Sequence, residues 1–430
     1  MKRWSLFLLL VASSACASDP TATPDLPQHD SVARWLEGDP GMQASDFERA
    51  RARHEAGMLR ASPNEWTINA TGQRRRYDDG GTSREWNAGL ERTIRLPGKR
   101  SLDTQLGRDT EAIAEARQGE TRLQAVTDLV QLWLTWSVAS AERRLVDEQV
   151  ELVGRNRDAV EKRVKAGDAA RLELNLAEAD RADIERLQRE LETSEAQAKA
   201  RLGARFAELP ADPPLLSQPL PVDESLESLK AALVSTSMAL QVADAELRFA
   251  ESSVERERAD RLPDPTIGVF GASEAFGNER IVGLSLSVPL PGEYRSRKLG
   301  RALSVRDMTE ATLRRERQRV EADAAARVLE LQGRFDGWRL AKTAADRSRE
   351  NATLTQRAYA LGEADLQTLL LARRQSLDAS RTAARAQFDA VLARYRVALA
   401  TGGLWSDLTT AGATTTEEAS RAETRLPDAE

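Results

Sequence analysis

Chemistry at a protein site needs nucleophiles, bases or metal ligands that converge, and this sequence offers few of them. His29 and His54 are its only histidines, both near the N-terminus in poorly patterned sequence. Either could hold a stray metal ion, but zinc and copper sites want His, Cys or Met in clusters of regular spacing, and none exists here. No glycine-rich phosphate loop is present, so energy for any transport would come from a partner. No catalytic residue, resident metal or cofactor is expected. A conduit need not bind its cargo, so missing ligands speak neither for nor against metal transport.

The one residue with distinctive chemistry is Cys16, the only cysteine. It lies in MKRWSLFLLLVASSACASDP, where Lys2 and Arg3, an apolar run from Trp4 to Ala12 and then small residues make a secretory signal, expected over residues 1–17. The run is too short to span a membrane. In a lipoprotein reading of SSAC, Cys16 is acylated and becomes the first mature residue; Ala15-Cys16-Ala17 also fits ordinary A-x-A cleavage, which would discard it.

Composition narrows the partners. Charged residues make up 30% and the net charge is -6, with acids and bases interleaved along helical stretches. No basic face is offered to a phosphate backbone, so nucleic acid is excluded as a partner. No later segment reaches ~18 consecutive apolar residues, so membrane entry would be by strands or lipid.

The elements come in two copies. GLERTIRLPGKR from Gly89 aligns with GLSLSVPLPGEYR from Gly283, and Leu90, Leu96, Pro97 and Gly98 fall on Leu284, Leu290, Pro291 and Gly292. About 195 residues apart, Gly167 in VKAGDAARLEL falls on Gly362 in AYALGEADLQTL. Each copy reads helix, strand pair, Leu-Pro-Gly, long helix, glycine break, second helix.

From Ser101 to Ala166 there is no proline, and a helix of that extent reaches on the order of 100 Å. Its apolar positions, Leu129, Leu132, Trp136, Ala139, Val146, Val150, Val153, Val160 and Val164, step by three and four as a coiled-coil seam. Arg143 and Arg157 fall on that seam, their stems expected to snorkel to a wet surface. The returning helices carry Ile184, Leu187, Leu191 and Ala198 in one copy and Leu370, Leu377, Ala384, Val391 and Ala398 in the other. Each glycine break is therefore the tip of an antiparallel helical hairpin.

The strand candidates alternate. In WTINATGQ, Trp66, Ile68 and Ala70 oppose Thr67, Asn69 and Thr71; in WNAGLERTIRL, Trp86, Ala88, Leu90, Ile94 and Leu96 oppose Asn87, Glu91, Thr93 and Arg95. TIGVFGA and IVGLSLSVPL repeat the pattern around the turn SEAFGNER. Such strands fit a soluble sheet on a helical layer, or a membrane barrel with a polar lumen. Four strands cannot close alone, since transmembrane barrels begin at about eight and lipid tolerates no open edge. In the membrane reading three copies share one barrel of twelve strands.

With these segments in place, the chain resembles the TolC family of trimeric outer-membrane efflux ducts over roughly residues 31 to 405. The matching segments are ALGEADLQTLLLARRQSLDASRTAARAQFDAVLARYRVALATGGLW, its partner VKAGDAARLELNLAEADRADIERLQRELETSEAQAKARLGA, and LPDPTIGVFGA followed by VGLSLSVPLP. LERTIRLPGKR is closer to the cobalt-zinc-cadmium efflux branch, the CzcC-like proteins.

The resemblance implies a mainly helical protomer with a small β part, a periplasmic α-barrel of long helices, and four strands given to a trimeric β-barrel in outer-membrane lipid. It implies a passive conduit serving a periplasmic adaptor and an inner-membrane pump. By position, the entrance and adaptor contact fall at Val164, Gly167, Asp168, Glu173, Tyr359, Gly362, Glu363, Asp365 and Thr368. Family members often carry acids just beyond the tip glycine; Glu173 holds that place in the first copy and Thr368 in the second, with Asp168, Glu363 and Asp365 as possible substitutes. Asp168 and Glu363 have an ordinary reading too, as acids favoured at a helix N-terminus.

The expected layout is the signal at 1–17, first helices in 18–62, strand pairs in 63–97 and 263–291, and helical hairpins in 98–210 and 292–403. A linker with helices fills 211–262, and 404–430 is expected to be a disordered tail. The competing function is a periplasmic coiled-coil adaptor or structural rod without a channel.

Overall fold

The computed structural model describes residues 24–222 and 224–409; the signal, Cys16 and the chain beyond Thr409 lie outside them. Two helices open the described chain, α1 (His29–Glu37) and α2 (Pro40–Ala61), followed by β1 (Thr67–Arg76), β2 (Thr82–Thr93), the 68-residue α3 (Lys99–Ala166) and the returning α4 (Arg171–Gly203). The second copy repeats the order with α5 (Leu226–Ser235), α6 (Met238–Ala259), β3 (Thr266–Glu274), β4 (Glu279–Ser287), the 69-residue α7 (Glu293–Leu361) and α8 (Leu366–Ala400). A single turn, α9 (Ser406–Thr409), ends the described chain.

Each long helix is partnered along two lengths. Its half nearest the strands packs on the preceding short helix, α2 on α3 and α6 on α7, and its far half packs on the returning helix. The α2–α3 approach is close enough that a Cβ at Gly107 would sit 3.0 Å from the Ala56 Cβ. Along the far half Val146 and Leu191 are buried together with Leu377 of α8, so the two hairpins also touch. Arg143 on the seam does not simply snorkel: it pairs with Glu195 of the returning helix and with Asp147.

The main core lies where α1, the middle of α3 and the ends of α4 and α8 meet, around Leu129, Trp133, Trp136, Leu202, Phe206 and Leu399. Asp25 is buried within it, its carboxylate accepting from the Tyr395 hydroxyl at 2.8 Å and the Ser217 hydroxyl at 2.7 Å, while its carbonyl accepts from the Trp133 indole N–H at 2.8 Å. Burial, then the Asp25 charge, pushes the Tyr395 phenol up. Residues 404–409 do not belong to a disordered tail: Leu404 and Thr409 are buried, and Trp405 packs on this core. Their apolar side chains were masked in the sequence by the polar run that follows.

The four strands form one antiparallel sheet in the order β1-β2-β3-β4. Register aligns Ile68 with Leu90, Leu90 with Val269 and Val269 with Leu284, so one apolar row crosses all four strands on one face, while Phe270, Ala272 and Ile281 fall on the other. The strands stop earlier than alternation suggests. Ile94 and Leu96 lie beyond β2, and Val288 and Leu290 lie beyond β4; Pro97, Pro289 and Pro291 have no N–H to extend a ladder.

Sheet and helices are joined by a charge network that links the two copies. Lys99, in the Leu-Pro-Gly-Lys segment, is buried and donates to Asp260 at 3.1 Å and to the Leu262 carbonyl at 2.6 Å, with Asp264 at 2.9 Å. Asp264 also accepts the Leu96 N–H, and Asp103 takes Arg95 at 2.6 Å and Arg256 at 2.5 Å. Burial alone would raise the Asp260 carboxyl, but hydrogen bonds from Lys99 and Arg256 outweigh it and hold it below the usual carboxylate range. Its stabilisation is therefore present at neutral pH and lost as pH falls through that lowered value. Removing Lys99 would take from Asp264 the cation it is paired with, while Asp260 keeps Arg256 and Arg295. Lys99→Ala is expected to cost about 3–5 kcal/mol, read as a lower thermal unfolding midpoint in detergent, and an unchanged midpoint would contradict the role given to this residue.

Candidate functional site at the hairpin tips and the sheet face

Both tips close in the same way. Gly167 and Gly362 sit at φ 84° and 77°, the left-handed region where a side chain would be strained. The Asp168 N–H donates to the Arg163 carbonyl and the Glu363 N–H to the Ala358 carbonyl, each at 2.8 Å, so the last carbonyls of both long helices are satisfied alike. The returning helices start differently. Asp365 caps α8 by accepting the Thr368 N–H at 2.7 Å, whereas its counterpart Ala170 offers α4 no side-chain acceptor. The hydrogen bonds from Thr368 hold the Asp365 carboxyl below its ordinary range, so its contribution is lost only in acid.

Two expected groups are thus already engaged: Asp365 works as a cap, and Thr368 is the residue it caps. Glu173, half-buried in the first turn of α4, lies 3.7 Å from Arg163. Asp168 and Glu363 are exposed. The two tips are brought together by an apolar cluster of Val160, Leu174, Ala177, Leu366 and Leu369, with Val164 and Tyr359 packed at its margin.

Arg163 was not singled out by the sequence, yet it bridges the tips. Its guanidinium donates to the Tyr359 hydroxyl at 3.0 Å and to the Asp168 carbonyl at 3.4 Å, and lies 6.0 Å from the Tyr359 ring centroid. The available signal was a basic residue in the last turn of the first long helix, a common helix feature. Further from the tips, Asp180, Asp183, Arg373, Arg374 and Arg381 line a cavity of about 190 Å³ between the hairpins. Burial lowers the Arg373 guanidinium and raises the Asp180 carboxyl, although each charge favours the other.

The second feature is the sheet face. Ile68, Val282 and Leu284 are 80%, 90% and 82% exposed, and Trp86, Ile267, Val269 and Leu286 are exposed beside them. Arg92 interrupts this face at the helix end, where it donates to the Asn64 carbonyl at 3.0 Å and lies over the Trp66 ring at 5.5 Å. The opposite face is mainly polar, with Phe270, Ala272 and Ile281 among its polar groups: Glu85 is buried and accepts from Gln73 at 2.9 Å. Both edge strands, β1 and β4, have an unpaired side. Among the described residues no helix is long and apolar enough to cross a membrane.

The fold is thus an open four-stranded sheet with one apolar and one mainly polar face, carried on two repeat-related helical hairpins. The family resemblance read from the sequence is borne out: residues 32–205 match the outer membrane efflux protein family. The chain is 25% identical over 253 residues to the nickel-cobalt-cadmium resistance protein NccC of Alcaligenes xylosoxydans xylosoxydans, a match spanning 58% of this chain and only 56% of that protein. Its fold is similar to the Campylobacter jejuni CmeC outer membrane channel, with TM-score 0.75 at 14% identity, covering 92% of this chain and 89% of the other. A membrane protein from Pseudomonas aeruginosa gives TM-score 0.76 at 16% identity, covering 88% and 90%. The mainly helical protomer with a small four-stranded β part stands as expected.

The bridge through Arg163 leads to a direct expectation. Arg163→Ala should remove an exposed pair and a hydroxyl bond worth about 0.2–1 kcal/mol, and so speed amide exchange up to about fivefold in both 164–173 and 358–369. Faster exchange confined to the first segment would show that Arg163 does not couple the tips.

Proposed function

We propose that the protein is the outer-membrane channel of a tripartite efflux system, a passive conduit built from three copies and serving a periplasmic adaptor and an inner-membrane pump. The observation that carries this reading is the exposed apolar sheet face with both edges unpaired. Neither a soluble adaptor nor a structural rod gives such a face a partner, whereas lipid covers it and neighbouring copies complete its ladder. Three four-stranded sheets make a twelve-stranded barrel, within the range of outer-membrane barrels. A second seam supports lateral packing: Leu340, Leu354 and Leu361 of α7 are exposed and spaced by whole heptads.

In this arrangement the tips around Arg163, Glu173 and Tyr359 form the periplasmic entrance and meet the adaptor, with Asp168 and Glu363 as its exposed acids. The likeness to a nickel-cobalt-cadmium resistance protein favours divalent heavy-metal cations as cargo. The test is a deletion strain, complemented by the wild-type gene and fractionated. We expect the protein in the outer membrane, greater sensitivity to nickel, cobalt or cadmium on deletion, and unchanged sensitivity to amphiphilic drugs. A detergent-independent soluble protein would overturn the channel; sensitivity to drugs alone would overturn the cargo.

A further inference from the structure

The turn end of the exposed sheet face carries a row of arginines that the channel reading leaves unused. In β1 the alternate residues after Ile68, Ala70 and Gly72 are Arg74 and Arg76; in β2 the one beyond Trp86 is Arg84; in β4 the one before Val282 is Arg280. All four are exposed and lie on the apolar side of the sheet. Register sets Arg74 directly opposite Arg84, a like-charge cross-strand pair that is unfavourable without an anion between them.

The neighbouring Arg75 shows the contrast. It points to the polar face, 3.3 Å from Glu85 and 3.5 Å from Glu274. Glu279, opposite Glu274, belongs to that polar face as well. Among the described residues no ion pair reaches Arg74, Arg76, Arg84 or Arg280. The β1–β2 turn carries Asp78 and Asp79, and Asp79 is engaged by the Gly81 N–H at 2.9 Å. The other end of the face differs: Arg92 there is taken up by the Asn64 carbonyl and Trp66. From Arg92 to Arg84 the strand runs roughly 27 Å, about 20 Å along a membrane normal at the usual tilt, close to the height of an outer-membrane apolar band.

We propose that this rim binds phosphomonoester headgroups of lipids in the leaflet at the turn end, with the acyl chains on the apolar face below. Paired guanidiniums suit a dianionic phosphate, which accepts two forked sets of N–H bonds and neutralises two charges. Continuity between the rim and the apolar face selects a lipid over a free anion. The proposal rests on the sheet being membrane-embedded, and the experiment separates the two.

Full-length protein is reconstituted in vesicles of phosphatidylcholine alone, with added phosphatidic acid, or with added phosphatidylglycerol, and lipids retained after re-extraction are counted by native mass spectrometry. We expect insertion into all three, retention of phosphatidic acid over phosphatidylglycerol, and about tenfold loss of that retention in R74Q/R84Q and in R280Q. Arg75→Gln, which alters the polar face, should leave retention unchanged and controls for misfolding. Insertion with no preference for phosphatidic acid, or displacement of the lipid by inorganic phosphate at equal concentration, would overturn the rim while leaving the channel reading intact. Failure of the wild-type protein to enter any vesicle would overturn the membrane reading itself.

Discussion

An edge strand leaves half of its backbone donors and acceptors unpaired, and here two such edges, β1 and β4, flank an apolar face that nothing among the described residues covers. In water that combination invites uncontrolled strand addition, and in lipid each unpaired amide is costly. The sheet is therefore incomplete by construction. In the proposed channel, the long helices, the repeat and the charged junction hold this open-edged sheet in one place and orientation for other copies to finish.

The junction explains how a small sheet can be held by rods on the order of 100 Å long. Lys99 from the first copy is buried against Asp260 and Asp264 of the second, and Asp103 receives Arg95 and Arg256 from both. Such buried pairs give directional contacts where apolar packing would give none, though they add little net stability. At the far end the demands are reversed. The tips are closed by backbone bonds around two left-handed glycines and coupled through a small apolar cluster and one exposed arginine. The rods are anchored firmly at the sheet and lightly at the tips, which suits the proposed contact with an adaptor.

Much of this was legible because it rests on periodicity and punctuation. Gly167 and Gly362 announced the tips, and alternation around Leu90 and Leu284 announced the two-faced sheet. What escaped depends on distant side chains meeting. Nothing local marks Arg163 as the partner of Tyr359, nor Lys99 as the buried cation of Asp260, since these contacts join the two copies across the fold. Glu173 and Asp365 were legible as acids near the tips but not in their engagements, one with an arginine and the other with a helix start. Arg92, on the apolar face, broke the alternation because its nearest partners lie in the segment before β1.

The proposed closure of the barrel by neighbouring copies can be read most directly by crosslinking the two edges. Asn69 on β1 and Ser285 on β4 both face the polar side of the sheet, so cysteines at Asn69 and Ser285 meet only if the first strand of one copy lies beside the last strand of another. Positions Thr67 and Thr71 scan the register, and each single variant controls for Cys16. If copies complete the barrel, oxidation in membranes yields a covalent ladder that ends at three chains. Monomer alone across the whole scan, with the thiols still free, would contradict it.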